Sequence, residues 1–122
     1  MKDSMGMVCS GLCLGHCLLT PLLLALGSAG ALGVAMHSEW VHWALMVPII
    51  VLALLSFPGG YRVHRRVRPV LLGIAGALLL VLALFVQEAW EPVLSVLGGG
   101  LLISGHWINR RRLRQQCGAA VC

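Results

Sequence analysis

A short stretch near the start of the chain concentrates residue types that bind soft metal ions. It holds Cys9, Cys13, His16, Cys17 and Thr20. At about 100° per residue, these side chains fall within one arc of about 100° on a helix. Thiolate and imidazole are the ligands that Hg²⁺, Cu⁺ and Zn²⁺ prefer. The spacing predicts a metal site on one helix face, the alternative being thiols that serve as small apolar fillers.

Two other features of the same stretch bear on the site. Pro21 has no amide hydrogen, so a helix running through it leaves the carbonyl of Cys17 without its usual partner. We expect a kink there that exposes a backbone oxygen beside the thiols, unless Pro21 is an ordinary tolerated proline. Gly11 and Gly15 lie on the opposite side of the helix, where a Gly-x-x-x-Gly face would let another helix approach closely.

Further candidate ligands lie elsewhere in the chain. His106 belongs to a weaker polar stripe on the last predicted helix, which we interpret below as a membrane crossing. It would lie at a depth in the membrane similar to that of Cys9, so it would either face Cys9 or extend to the membrane interface. A predicted outer loop holds three residues that could capture a cation loosely, or simply be solvated: His37, Glu39 and His42.

The end of the chain carries a second pair of thiols, Cys117 and Cys122. Thiols beside arginines ionise more readily than isolated thiols. Because the cytosol keeps thiols reduced, metal transfer suits this pair better than a structural disulfide. We therefore include Cys117 and Cys122 among the predicted metal ligands.

The composition decides the class of protein. Only 11% of the 122 residues are charged, 59% are hydrophobic and the mean hydropathy is +0.92. A soluble domain of this size leaves roughly 40% of its unfolded surface exposed and cannot hide so much apolar area. This excludes an ordinary soluble domain, a disordered chain and a nucleic-acid-binding module, and it indicates a single-domain membrane protein.

Charge-free gaps divide the chain into membrane crossings. A crossing helix needs about 20 apolar residues, and backbone groups in lipid must be paired within their own segment. We therefore predict a single domain over 1–122, an all-α integral membrane four-helix bundle. Its last residues, 109–122, are predicted to form a basic tail that carries the cysteine pair. The predicted helices lie near 6–27, 41–57, 70–87 and 92–108.

The arginines predict the orientation. All eight lie in two places, the connector after the second predicted helix and the tail after the fourth, whereas the other connectors carry Glu39, Glu88 and Glu91. Short basic loops stay in the cytoplasm, so both termini are expected there. The four tryptophans fall near predicted helix ends, as an aromatic belt requires. A cleavable signal peptide ending near Gly27–Ala31 is the alternative for the first helix.

Three segments resemble the MerC mercury-resistance family. Ser10–Pro21 is similar to the first helix of that family, and Gly60–Arg65 and Gly105–Arg110 resemble the ends of its second and fourth helices. The most specific part is the Cys-x-x-His-Cys-x-x-x-Pro block, where the best-known members have Cys-x-x-Cys. The tail pair also resembles the tail thiols of mercury carriers. The resemblance implies a bacterial inner-membrane protein that moves Hg²⁺ into the cytoplasm, where a flavin-dependent reductase converts it to Hg⁰.

The leading hypothesis is a thiol relay without enzymatic activity or a resident cofactor. Hg²⁺ would pass from the outer loop to Cys13 and Cys17, with Cys9 or His16 as a third ligand, and leave through the tail thiols. Two-coordinate Hg²⁺ needs only two thiols, whereas Zn²⁺ takes four ligands. Expected partners are the lipid bilayer, the ion, cytosolic thiols or a mercuric reductase, and a second copy of the chain. The alternatives are a structural accessory subunit and, less favoured, a quinone-dependent thiol oxidoreductase.

Overall fold

A computed structural model of the protein describes residues 2–25, 38–87 and 89–119. These residues form four helices and no strand, which confirms the predicted all-α fold. The helices are α1 (Lys2–Ala25), α2 (Glu39–His64), α3 (Arg68–Ala83) and α4 (Glu91–Ala119).

Two helices run well beyond the apolar segments that predicted them. α2 continues through Pro58, Gly59 and Gly60 and ends at His64. The C-cap residue, Arg65, has a left-handed backbone (φ 53°), and its N–H donates to the Tyr61 carbonyl at 2.8 Å. α4 continues through most of the stretch predicted to be a tail. The predicted helices end at the first charged residue, because that residue marks where lipid would end. A helix can nevertheless continue into the polar region beyond the lipid.

The bundle is organised around α4, which packs against each of the other three helices. Its closest neighbour is α3, and the two backbones meet glycine against glycine. A Cβ added to Gly76 would lie 2.7 Å from the Gly98 carbonyl, and one added to Gly98 would lie 2.8 Å from the Gly76 carbonyl. Leu80 and Leu102 fill the space beside this crossing and are almost completely buried.

Replacing Gly98 with leucine is expected to separate α3 from α4 and to lower the free energy of unfolding by about 3 kcal/mol, since overpacked contacts typically cost this much. Gly100→Leu is the matched control, because a Cβ there meets nothing within 4 Å. The measurement is SDS-induced unfolding in mixed micelles. Equal losses for both variants would show that the added bulk of leucine on α4, and not the close crossing, controls the result.

The distribution of side chains is inverted relative to a soluble protein. The buried face of α1 is polar or sulfur-bearing, while its apolar residues, such as Leu12 (60%) and Val8 (61%), are exposed. Lys2–Leu23 and Trp40–His64 are long and apolar enough to cross a membrane, yet only 33% and 28% of their apolar windows are buried. A core helix of a soluble protein would be mostly buried. Two helices therefore qualify as membrane spans, and α3 is a shorter apolar helix.

Candidate metal centre

The structure brings three candidate ligands together from two helices. His16 and Cys17 lie on the buried face of α1, and His42 lies near the start of α2. The ligand atoms of the three side chains are all within 4.8 Å of one another. Cys17 Sγ is 4.0 Å from His42 Nε2, and the two imidazole rings meet edge to face with centroids 5.3 Å apart. A thiol and two imidazoles are thus close enough to share one ion.

Helical periodicity explains how α1 contributes to this group. Cys13 precedes Cys17 by one turn, so both thiols lie on the same side of the helix, and both are buried. The side chains of Cys13 and Ser95 also lie beside the Cys17 thiol. α1 runs through Pro21 without ending, so the Cys17 carbonyl lacks the amide partner that any other residue at 21 would supply.

A carboxylate completes the outer edge of the group. Glu91, at the start of α4, approaches His42 Nε2 through Oε1 at 3.0 Å, and both side chains are partly exposed. The imidazole of His42 therefore stands between a solvent-accessible carboxylate and a buried thiol. The sequence interpretation placed His42 in a loop, whereas α2 begins at Glu39 and carries His42 in its first turn. Glu91 was interpreted only as a topology charge.

The other predicted ligands do not join this group. Cys9 is partly buried and packs against the hydrophobic core one turn before Cys13. Cys117 is exposed near the end of α4. The four cysteines in the described part of the chain are all free thiols. His37 and Cys122 lie outside the described residues, and the side chain of Glu39 is not described either.

His106 belongs to a separate polar network at the arginine-bearing end of the bundle. Its Nδ1 donates to Asp3 Oδ1 at 2.9 Å, and its ring stacks on Phe57 with centroids 4.6 Å apart. Asn109 Nδ2 donates to both carboxylate oxygens of Asp3, at 3.0 and 3.1 Å. His106 and Asn109 have no exposed surface, and Asp3 is buried as well. The hydrogen-bond partner of His106 is thus Asp3, a residue that was not among the predicted ligands.

The donor and acceptor of each hydrogen bond between the Arg66 backbone and Asp3 can be assigned in order. The Arg66 backbone N–H donates to His64 Nδ1 at 3.0 Å, so the proton of a neutral His64 sits on Nε2. Nε2 then donates to Asn109 Oδ1 at 2.8 Å, which fixes the orientation of the amide and leaves Nδ2 to face Asp3. The network ties α1, α2 and α4 together. Neither Asp3 nor Asn109 was identified as a network member from sequence, because their partners are far away along the chain.

Small residues make room for this network. A Cβ on Gly6 would overlap the His106 ring at Nε2. A Cβ on Gly60 would collide with the Asn109 amide. Gly6 and Gly60 therefore allow α1 and α2 to approach the polar side chains of α4. By contrast, a Cβ on Gly11 or Gly15 meets nothing within 4 Å, so no described residue of this chain packs on the predicted Gly-x-x-x-Gly face.

Together, the inverted side-chain distribution and the buried thiol–imidazole group define a small helical membrane protein with a candidate soft-metal centre. The family model for the MerC mercury resistance protein matches residues 3–111, which is most of the chain. The protein belongs to this family, as the sequence resemblance indicated. No curated protein and no solved structure matches the chain.

Proposed function

We propose that this protein is a multi-pass carrier in the bacterial inner membrane that takes Hg²⁺ into the cytoplasm by ligand exchange. Family membership supports mercury as the cargo. The observation that carries the proposal is the group of His16, Cys17 and His42, whose ligand atoms lie within 4.8 Å of one another. Thiolate and imidazole together form a donor set suited to a soft ion, and lipid-facing helices surround it.

The partly exposed pair of His42 and Glu91 is the proposed point of capture. The same Nε2 atom of His42 faces Glu91 Oε1 at 3.0 Å and Cys17 Sγ at 4.0 Å. An imidazole nitrogen binds a metal through its lone pair, so Nε2 must be free of its proton. Glu91 lies within hydrogen-bond reach to accept that proton when the ion arrives. The ion then needs to move only a few ångströms to reach the thiol of Cys17.

The buried step uses the two adjacent thiols of α1. Hg²⁺ is satisfied by two sulfur ligands, and Cys13 lies beside Cys17. Each thiol that binds loses its proton, so loading both cysteines releases about two protons per ion. His16 is the third ligand that the geometry offers in place of Cys9. The exposed Cys117, together with Cys122, is the proposed exit to cytosolic thiols or to a mercuric reductase.

This sequence of steps exchanges ligands and changes no oxidation state, so we assign the protein as a transporter and not as an enzyme. The basic ends of α2 and α4 would face the cytoplasm, as short arginine-rich segments do. His42 and Glu91 would then lie toward the outer surface. With four crossings of the membrane, both termini would lie on the cytoplasmic side.

Direct binding of Hg²⁺ to the purified protein tests the site. Ultraviolet thiolate-to-mercury absorption in detergent is expected to show one tightly bound ion, and Cys17→Ser should abolish that signal because a hydroxyl oxygen is a poor ligand for a soft ion. Cys9→Ser is the matched control on the same helix and should retain the signal. A signal that disappears only when Cys117 and Cys122 are replaced would contradict the site and favour the accessory-subunit hypothesis.

A further inference from the structure

A basic cleft opens at the end of the bundle opposite the metal centre. Its volume is about 640 Å³, and it lies between the α2–α3 connector, the first turn of α3 and the arginine-rich part of α4. The side chains that decide its chemistry are Arg65, Arg66, Arg68, Arg111, Arg112 and Trp107. Arg111 also places its guanidinium carbon 5.7 Å from the centroid of the exposed Trp107 ring. Five permanent positive charges therefore border one concavity.

Within the described part of the chain, no carboxylate is paired with these charges. The sequence has four acids, and among the described side chains no arginine takes part in an ion pair. Glu91 faces His42, and Asp3 is buried with His106 and Asn109. Glu39 begins α2 at the far end, and Glu88 belongs to the connector between α3 and α4. Within the described residues, these five charges are therefore available to an external anion.

The start of α3 adds to the positive potential. Its N-cap is Val67, whose side chain makes no capping hydrogen bond, and α3 begins at Arg68 on the wall of the cleft. The first amide groups of a helix attract anions through their unpaired N–H groups and the helix dipole. Guanidinium groups and helix N-termini are both suited to phosphate oxygens. The chemistry of the cleft therefore fits an anionic group such as phosphate.

An apolar groove that includes the first turn of α3 lies along the bundle. It has a volume of about 180 Å³, lies between α2 and α3, and is lined by Ile50, Ala53, Phe57, Val70, Ile74 and Ala77, among others. The cleft includes Pro69 on α3, and the groove begins at the next residue, Val70. A polar anion site and an apolar channel are thus neighbours on the first turn of α3. A ligand that fills both must have an anionic head and a hydrocarbon tail.

We propose that this composite site binds one anionic phospholipid, with its phosphate among the arginines and an acyl chain in the groove between α2 and α3. Basic pockets at the cytoplasmic ends of membrane helices are suited to such headgroups. The arginines would then have a binding role beyond setting topology, and the lipid would join α2, α3 and α4 at one end of the bundle.

Native mass spectrometry of the detergent-solubilised full chain tests the headgroup site, with phosphatidylglycerol as the probe and phosphatidylcholine as the neutral comparison. The double variant Arg111→Gln, Arg112→Gln is expected to weaken phosphatidylglycerol binding about 25-fold, about fivefold for each arginine. The matched control is Arg110→Gln, Arg114→Gln, which removes the same charge from the same helix outside the cleft. Equal losses in the two double variants would overturn the proposal in favour of general charge attraction.

A second pair of variants tests the groove. Ala77→Phe fills it, whereas Ala75→Phe places the same ring on the exposed side of the same helix. We expect Ala77→Phe to weaken phosphatidylglycerol binding about tenfold and Ala75→Phe to leave it unchanged. Inorganic phosphate at millimolar concentration is the third probe and should displace little lipid. Displacement of lipid by inorganic phosphate at equal concentration, or binding indifferent to Ala77→Phe, would show that the cleft is a free-anion site and overturn the lipid assignment.

Discussion

Cells that produce the double variant Cys13→Ser, Cys17→Ser are expected to take up Hg²⁺ no faster than cells that lack the protein. The structure puts both thiols on the buried face of α1, with Cys17 Sγ 4.0 Å from His42 Nε2. Serine keeps the size and burial of each side chain but replaces a soft sulfur by a hard oxygen that does not ionise at neutral pH. We expect a fall in uptake of at least about tenfold, measured with radioactive ²⁰³Hg²⁺ in whole cells.

Two controls separate a lost ligand from a lost fold. Cys9→Ser changes a partly buried thiol on the same helix outside the metal group and should keep most of the uptake. The amount of each variant in the membrane fraction must match that of the unchanged protein. Undiminished uptake by the double variant at normal abundance would contradict the thiol-relay hypothesis. The thiols would then be packing residues, and the protein would be an accessory subunit of another carrier.

Helical periodicity placed the candidate ligands of α1 on one face, but it could not show which residues of the other helices lie beside them. Cys13, His16 and Cys17 are neighbours along a single helix, so a rotation of about 100° per residue was enough to place them together. His42 and Glu91 reach the group from α2 and α4. Their position depends on how three helices pack, which no local spacing in the sequence encodes.

The same physical reason explains the placement of His106. This polar side chain in a charge-free segment was predicted to be a metal ligand or to extend to the membrane interface, and its partner could not be chosen from depth alone. Asp3 is 103 residues away in sequence, so no local spacing relates it to His106. The helix count was predictable because lipid requires long apolar segments. The helix ends were not, since α2 and α4 extend past the last apolar residue.

Replacing Asn109 with alanine is expected to destabilise the bundle by about 3 kcal/mol. Asn109 is completely buried and joins Asp3 to His64, so its removal leaves a carboxylate short of a donor and an imidazole N–H without an acceptor. Breaking a buried charged network from one side costs about 3–5 kcal/mol, because the remaining groups cannot reach water. SDS-induced unfolding measures the change. Gln116→Ala, an exposed amide on the same helix, is the control and should change stability by less than about 0.5 kcal/mol.

A double-mutant cycle between Asp3→Ala and Asn109→Ala shows whether the two residues act as one unit. A direct hydrogen-bonded pair should be non-additive by about 1–2 kcal/mol. Strict additivity would mean that Asn109 stabilises the bundle only by filling space. Coupling would have a consequence for the metal centre, because Asp3 and Cys17 lie on the same buried face of α1. The bonds from Asp3 to α4 would then fix the rotation of α1 that turns its thiols toward His42.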